Sequence, residues 1–130
     1  MTVLHGPSGI AAARRRLRAE LRDSGTPDSV VDDAALVLSE LLSNAWRHAR
    51  PLPSGDGVRA AWSRESDGAV TVAVTDGGGP TRPRPATPSV TARGGRGLTI
   101  IGTLARAWGV REAEGAGTVT VWAVLGTPPA

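Results

Sequence analysis

Glu40 and Asn44 stand four residues apart in ELLSNAWRH, a spacing that puts both on one face if the segment is helical. A carboxylate and an amide stacked in this way can hold a hard cation or its waters, and the carboxylate can take up a proton. Phosphoryl transfer needs both services. Arg47 lies close to one turn beyond Asn44, where it can meet phosphate, and His48 can do the same or cap the helix end. Asp76 closes the run VTVAVT and is followed by GGGP. Glycines there remove side chains that would block a ligand from the backbone, and a carboxylate at a strand end can accept a hydrogen bond from an exocyclic amine. In GGRGLTIIG, Gly94, Gly95 and Gly97 can present successive backbone N–H groups at a helix N-terminus, a nest suited to phosphate.

Each group alone has an ordinary explanation. Glu and Asn at spacing four are common on solvated helices, Asp-Gly is a favoured turn dipeptide, and a glycine-rich loop need hold nothing. Rival motifs are excluded. The chain has no Lys, which rules out a P-loop, and Ile100 stands where a dinucleotide fingerprint needs its third glycine. His5 and His48 are too few and too scattered for a zinc site, and without Cys there is no disulfide, thiolate ligand or thiol nucleophile.

The elements that must position these residues follow from periodicity. Over residues 8 to 23, Ile10, Ala13, Leu17 and Leu21 recur at three and four, with Ser8 as N-cap. Gly25 and Pro27 end this helix, and Asp28 or Ser29 caps a stronger one running to about His48. Its apolar stripe is Val31, Ala35, Leu38, Leu42, Ala45 and Ala49. A Pro/Gly loop then leads to a strand over residues 58 to 64, a turn at Ser66, Asp67 and Gly68, and a second strand in which Val70, Val72 and Val74 alternate with Thr71, Ala73 and Thr75. Residues 77 to 97 have no periodicity and carry Pro80, Pro83, Pro85 and Pro88, which reads as a functional loop such as a lid, or else as a disordered segment. Leu98, Ile101, Leu104 and Ala105 predict a third helix ending near Gly109, and residues 118 to 125 a last strand before a frayed tail at about 126 to 130.

At 130 residues the chain is expected to form one domain, and its 40% hydrophobic content supports a core of Leu, Val, Ile and Ala, the aromatics being four Trp. The sequence pI of 11.2 looks like that of a nucleic-acid binder, yet the formal net charge is only +3. Without Lys, Tyr or Cys almost nothing titrates between neutrality and the arginine pKa, so a small excess of Arg drives the pI up. The cluster Arg14, Arg15, Arg16 and Arg18 reads as the solvated face of a helix, and no direct nucleic-acid contact is expected. The N-terminal MTVLHGPSGI lacks the pattern of a signal peptide and no run is long and apolar enough to span a membrane, so the expectation is a soluble, cytoplasmic protein without membrane contact.

Taken in order, ELLSNAWRH, a strand ending in DGGGP, and GGRGL before a helix resemble the GHKL ATPase superfamily, and most of all its small anti-sigma-factor serine kinases as found in actinobacteria. The resemblance covers about residues 30 to 125 and implies an α/β two-layer sandwich of the Bergerat type: a mixed, mostly antiparallel sheet with helices on one face and an ATP lid. It implies ATP and Mg²⁺ as cofactors. Glu40 matches the acidic residue of the N box, general base or orienter of the nucleophile, and Asn44 the Mg²⁺-binding asparagine. Asp76 matches the aspartate that receives the adenine amino group, and Gly78 a glycine of the first Gly box. Gly95, Arg96, Gly97 and Leu98 match the second, which wraps the phosphates. Arg47 matches a basic phosphate contact, and Thr118, or Thr120 in an alternative alignment, the threonine that supports the adenine site. Pro80 departs from the glycine usual in histidine kinases. The implied activity is transfer of the ATP γ-phosphate to a serine or threonine of an anti-sigma-factor antagonist, with a sigma factor as the other ligand and a homodimer as the assembly. The alternative is an ATP-responsive module that sequesters its partner without phosphorylating it.

Overall fold

The computed structural model describes residues 1–4, 6–48, 57–78, 101–113 and 117–126. In chain order the elements are β1 (Thr2–Leu4), α1 (Pro7–Asp23), α2 (Asp28–His48), β2 (Gly57–Arg64), β3 (Val70–Asp76), β4 (Ala107–Ala113) and β5 (Thr118–Leu125), with residues 101–104 also helical. The strands form one five-stranded sheet in the order β1-β2-β3-β5-β4, and every ladder is antiparallel. Both long helices pack on one face, α2 across β2, β3 and β5 and α1 against α2, β1 and β2. The two-layer sandwich expected from the sequence is therefore present, with a sheet more uniformly antiparallel than expected.

Alternation along the strands separates the faces. Val70, Val72 and Val74 of β3 and Val119, Val121, Ala123 and Leu125 of β5 are buried under the helices. Ala13, Leu17 and Leu21 of α1 and a band on α2 (Val31, Ala34, Ala35, Val37, Leu38, Leu41, Leu42, Ala45) complete the core. The α2 band is wider than its three-and-four stripe because α2 packs both on the sheet and against α1. Ala49 falls outside the described residues.

Local chemistry sets the helix ends. α1 starts at Pro7, whose fixed φ suits the first helical position, so Gly6 rather than Ser8 is the N-cap and no side-chain cap is made. At the other end Gly25 has φ +84° and Thr26 N donates to Leu21 O at 3.0 Å while Gly25 N donates to Arg22 O at 3.0 Å. This is a Schellman motif, which needs a residue able to sit in the left-handed region. The hairpin turn falls where expected, with Gly68 at φ +90° and Asp67 Oδ1 accepting from Ala69 N at 2.9 Å.

Two elements differ from expectation. β1 was not foreseen. The third helix does not reach Gly109: its last turn closes with Ala105 N donating to Ile101 O at 2.7 Å, and Arg106 N then donates to Val124 O at 2.9 Å, opening β4. Gly109 lies mid-strand opposite Trp122, and a Cβ built there would come within 2.7 Å of the Trp122 ring. The indole occupies the space a side chain would need, so Gly109 serves packing rather than a helix end. Gly109→Ala is expected to destabilise the fold by about 1–3 kcal/mol through overpacking, read as a lower denaturation midpoint in urea.

The arginine cluster of α1 is a solvated face, as expected. Arg16 pairs with Glu20 at 2.7 Å and Arg18 with Asp32 at 2.7 Å, while Arg14 and Arg15 are exposed. Trp62 Nε1 also donates to Glu20, at 3.2 Å, bracing α1 against β2. The Arg16 hydrogen bond above all holds the Glu20 carboxyl below its ordinary pKa, with desolvation opposing and the Trp62 bond adding. No helix among the described residues is long and apolar enough to cross a membrane.

Candidate nucleotide site

Asp76 is the last residue of β3, paired with Val119 of β5, and its side chain takes the helix-side parity of Val70, Val72 and Val74. It is buried at 7% exposure, one of two buried polar residues among those described. Its Oδ1 accepts a hydrogen bond from Gly78 N at 2.7 Å, an Asx-type turn that curls the chain as it leaves the strand. Gly78 has φ +78°, and a Cβ there would meet Gly117 O at 3.1 Å and Val119 Cγ2 at 3.8 Å. Glycine is required for its conformation and for its close approach to the start of β5. The result is a cradle of bare backbone beside a buried carboxylate, at one end of the sheet.

The direction of α2 brings Asn44 to that end. A Cβ built on Gly126, just past Leu125, would lie 3.7 Å from Val30 Cγ1, so the first turn of α2 lies near the Val70–Leu125 end of the sheet. At ~1.5 Å per residue the helix climbs about 21 Å from Val30 to Asn44. At ~3.4 Å per residue β3 covers about 20 Å from Val70 to Asp76. The two lengths match, which carries Asn44 toward the Asp76 end of the sheet, with Glu40 one turn earlier. Both are half-buried beside the core band, and neither side chain makes a hydrogen bond or ion pair among the described residues. Asn44 lies near the C-terminus of α2, where the helix dipole presents partial negative charge. An amide oxygen in that field suits a cation, while Arg47, exposed in the last turn, supplies positive charge.

Thr118 is half-buried and adjoins Val119, the partner of Asp76. Strand alternation gives the Thr118 and Thr120 side chains the face opposite Asp76, and the Thr75 and Thr120 hydroxyls bond to each other there at 2.7 Å. Thr118 therefore borders the cradle through its main chain, next to Gly117. Gly95, Arg96, Gly97 and Leu98, Pro80 and most of the proposed lid lie outside the described residues. Gly117 and Val119 were not singled out from the sequence, although the glycines of GAGTV, directly before an alternating strand, mark a backbone approach of this kind.

A family model described as the histidine kinase-like ATPase domain matches residues 6–123. The chain belongs to that family. No curated protein matches it by sequence. Among solved structures it is similar to the RsbU and RsbW domains of Rv1364c from Mycobacterium tuberculosis, with TM-score 0.71 and 22% identity over 96% of this chain and 31% of that one. It is also similar to the SiaB–SiaC complex from Pseudomonas aeruginosa, with TM-score 0.64 and 16% identity over 96% of this chain and 87% of that one. The chain spans under a third of the length of the Mycobacterium structure. At these identities the two structures establish a shared fold. The donor set at the Asp76 end suits the nucleotide such a domain is named for: a buried acceptor, a cradle a Cβ would fill, and an amide and a carboxylate on the adjoining helix.

Proposed function

We propose that the chain is a cytoplasmic protein serine/threonine kinase of the anti-sigma type, taking ATP as phosphoryl donor and an anti-sigma-factor antagonist as acceptor. A sigma factor is the second partner in this reading, and the chain works as a homodimer. The observation that carries it is the buried Asp76 carboxylate, held by Gly78 N in a backbone cradle at the end of the sheet toward which α2 carries Asn44. Similarity to an RsbW domain and to a SiaB–SiaC complex supports a protein acceptor.

In this reading Asp76 accepts a hydrogen bond from the adenine amino group, and Gly78 leaves room for the base against β5. Asn44 would hold Mg²⁺ through its amide oxygen, and the ion when bound would neutralise charge on the phosphates. Arg47 contacts phosphate, as do the backbone amides of Gly95, Arg96, Gly97 and Leu98. Glu40 takes the proton from the partner's hydroxyl as that oxygen attacks the γ-phosphorus, the bond from the γ-phosphorus to the β–γ bridging oxygen breaks, and ADP leaves with the electron pair. The segment 79 to 93 closes over the site and excludes water.

The test is calorimetric titration with a non-hydrolysable ATP analogue, with and without Mg²⁺, followed by incubation with labelled ATP and a purified antagonist. Saturable binding strengthened by Mg²⁺, and label on an acceptor serine or threonine, are the expected results. A folded protein that binds no nucleotide at millimolar concentration would overturn the reading.

A further inference from the structure

The sheet face turned away from the helices carries an ordered row of donors. Register places Arg59, Thr75, Thr120 and Arg111 side by side on β2, β3, β5 and β4, all with parity opposite to the buried valines. Both arginines are exposed, and among the described residues neither has an ion-pair partner. Between them the Thr75 and Thr120 hydroxyls lie 2.7 Å apart. One hydroxyl hydrogen is used within that pair, which leaves the other to donate outward. The row is therefore guanidinium, hydroxyl donor, guanidinium, and it calls for a ligand made of acceptors. The neighbouring row is Ala61, Ala73, Trp122 and Gly109, with the indole held against Gly109, so the floor beside the donors is apolar and shallow.

Spacing narrows the ligand. Three inter-strand steps of ~4.8 Å put the two arginine Cα atoms about 14 Å apart. In an extended peptide, residues i and i+4 point the same way and are about 13–14 Å apart at ~3.4 Å per residue. We propose that this face docks an extended acidic segment of a partner protein, lying across the strands with carboxylates four residues apart on Arg59 and Arg111 and the central residue over the Thr75–Thr120 pair. The long arginine stems take up the sheet twist, and a guanidinium fork matches a carboxylate. A nucleic acid is a poorer fit. Two cations neutralise few phosphates, and Glu65, which accepts from Ser63 Oγ at 3.1 Å and Thr71 Oγ1 at 3.2 Å, puts a negative charge at the rim of the same face. The docking face is opposite to the Asp76 side of the sheet, so the proposal is independent of nucleotide binding.

The probe is the blocked peptide Glu-Val-Thr-Val-Glu, titrated into the intact ¹⁵N-labelled chain and followed by amide shifts, with Lys-Val-Thr-Val-Lys as control. Saturable shifts on β2 to β5 around Arg59, Thr75, Thr120 and Arg111 are expected for the acidic peptide only. The Arg59→Gln and Arg111→Gln double variant, whose altered side chains are exposed, should keep the fold and weaken binding about tenfold. Equal binding of the lysine peptide, or binding unchanged in the double variant, would overturn the proposal. So would a dimer in sedimentation that closes this face to the peptide, or preference for a single-stranded oligonucleotide.

Discussion

Asp76→Asn is expected to lower affinity for an ATP analogue by about a hundredfold, with little change in the melting temperature. Asn fits the same volume, and its Oδ1 can still accept from Gly78 N, so the curl after β3 survives. What changes is the sign of the group offered to the base. The carboxylate has acceptors alone, whereas the amide adds an NH₂ that meets the adenine amino group donor to donor. A hydrogen bond to a charged group contributes about 1.5–3 kcal/mol, and an unsatisfied buried donor costs a further ~1–3 kcal/mol. A loss near 3 kcal/mol corresponds to about a hundredfold in dissociation constant. Calorimetry reads the affinity and thermal unfolding checks the fold. Unchanged affinity in the folded variant would remove Asp76 from the site.

The parts of this site legible in the sequence are those where local pattern and tertiary role agree. α2 announced itself by an apolar stripe long enough to need burial, and helical geometry put Glu40 and Asn44 on one face of it, while their roles came from the resemblance to the GHKL superfamily. β3 and β5 were readable because each is buried on one face and so alternates cleanly, which also put Asp76 at a strand end. β1 has three residues and takes its conformation from pairing with β2, so nothing local marks it. β4 was misread for a more instructive reason. Leu104 and Ala105 prolong the spacing of Leu98 and Ile101, and Gly109 resembles a helix stop. The glycine is instead selected by Trp122 across the sheet, a contact thirteen residues away in sequence that no local window contains. Thr118 shows the same limit: the family resemblance implied a role for Thr118, or for Thr120 in the alternative alignment, whereas strand parity, fixed by pairing with β3 and β4, turns both side chains to the other face.

Glu40→Gln is the variant that separates catalysis from binding. Glu40 is half-buried on α2, one turn before Asn44, and among the described residues its side chain makes no hydrogen bond or ion pair. It braces nothing in the fold, so its replacement by an isosteric amide should leave both stability and nucleotide affinity nearly unchanged. If it accepts the partner's hydroxyl proton, the loss should fall on the transfer step. General-base catalysis contributes about 10²–10⁴-fold, and an amide cannot take up the proton, so phosphotransfer should drop by at least about a hundredfold at constant ATP affinity. That split, a lower rate with unaltered binding, is the mark of an interaction made in the transition state. A single-turnover assay with labelled ATP and the acceptor protein measures it, with calorimetry on the same preparation. Wild-type protein that binds nucleotide and acceptor yet transfers no phosphate, together with a Glu40→Gln variant that holds the acceptor equally well, would instead identify a sequestering module whose partner affinity responds to ATP.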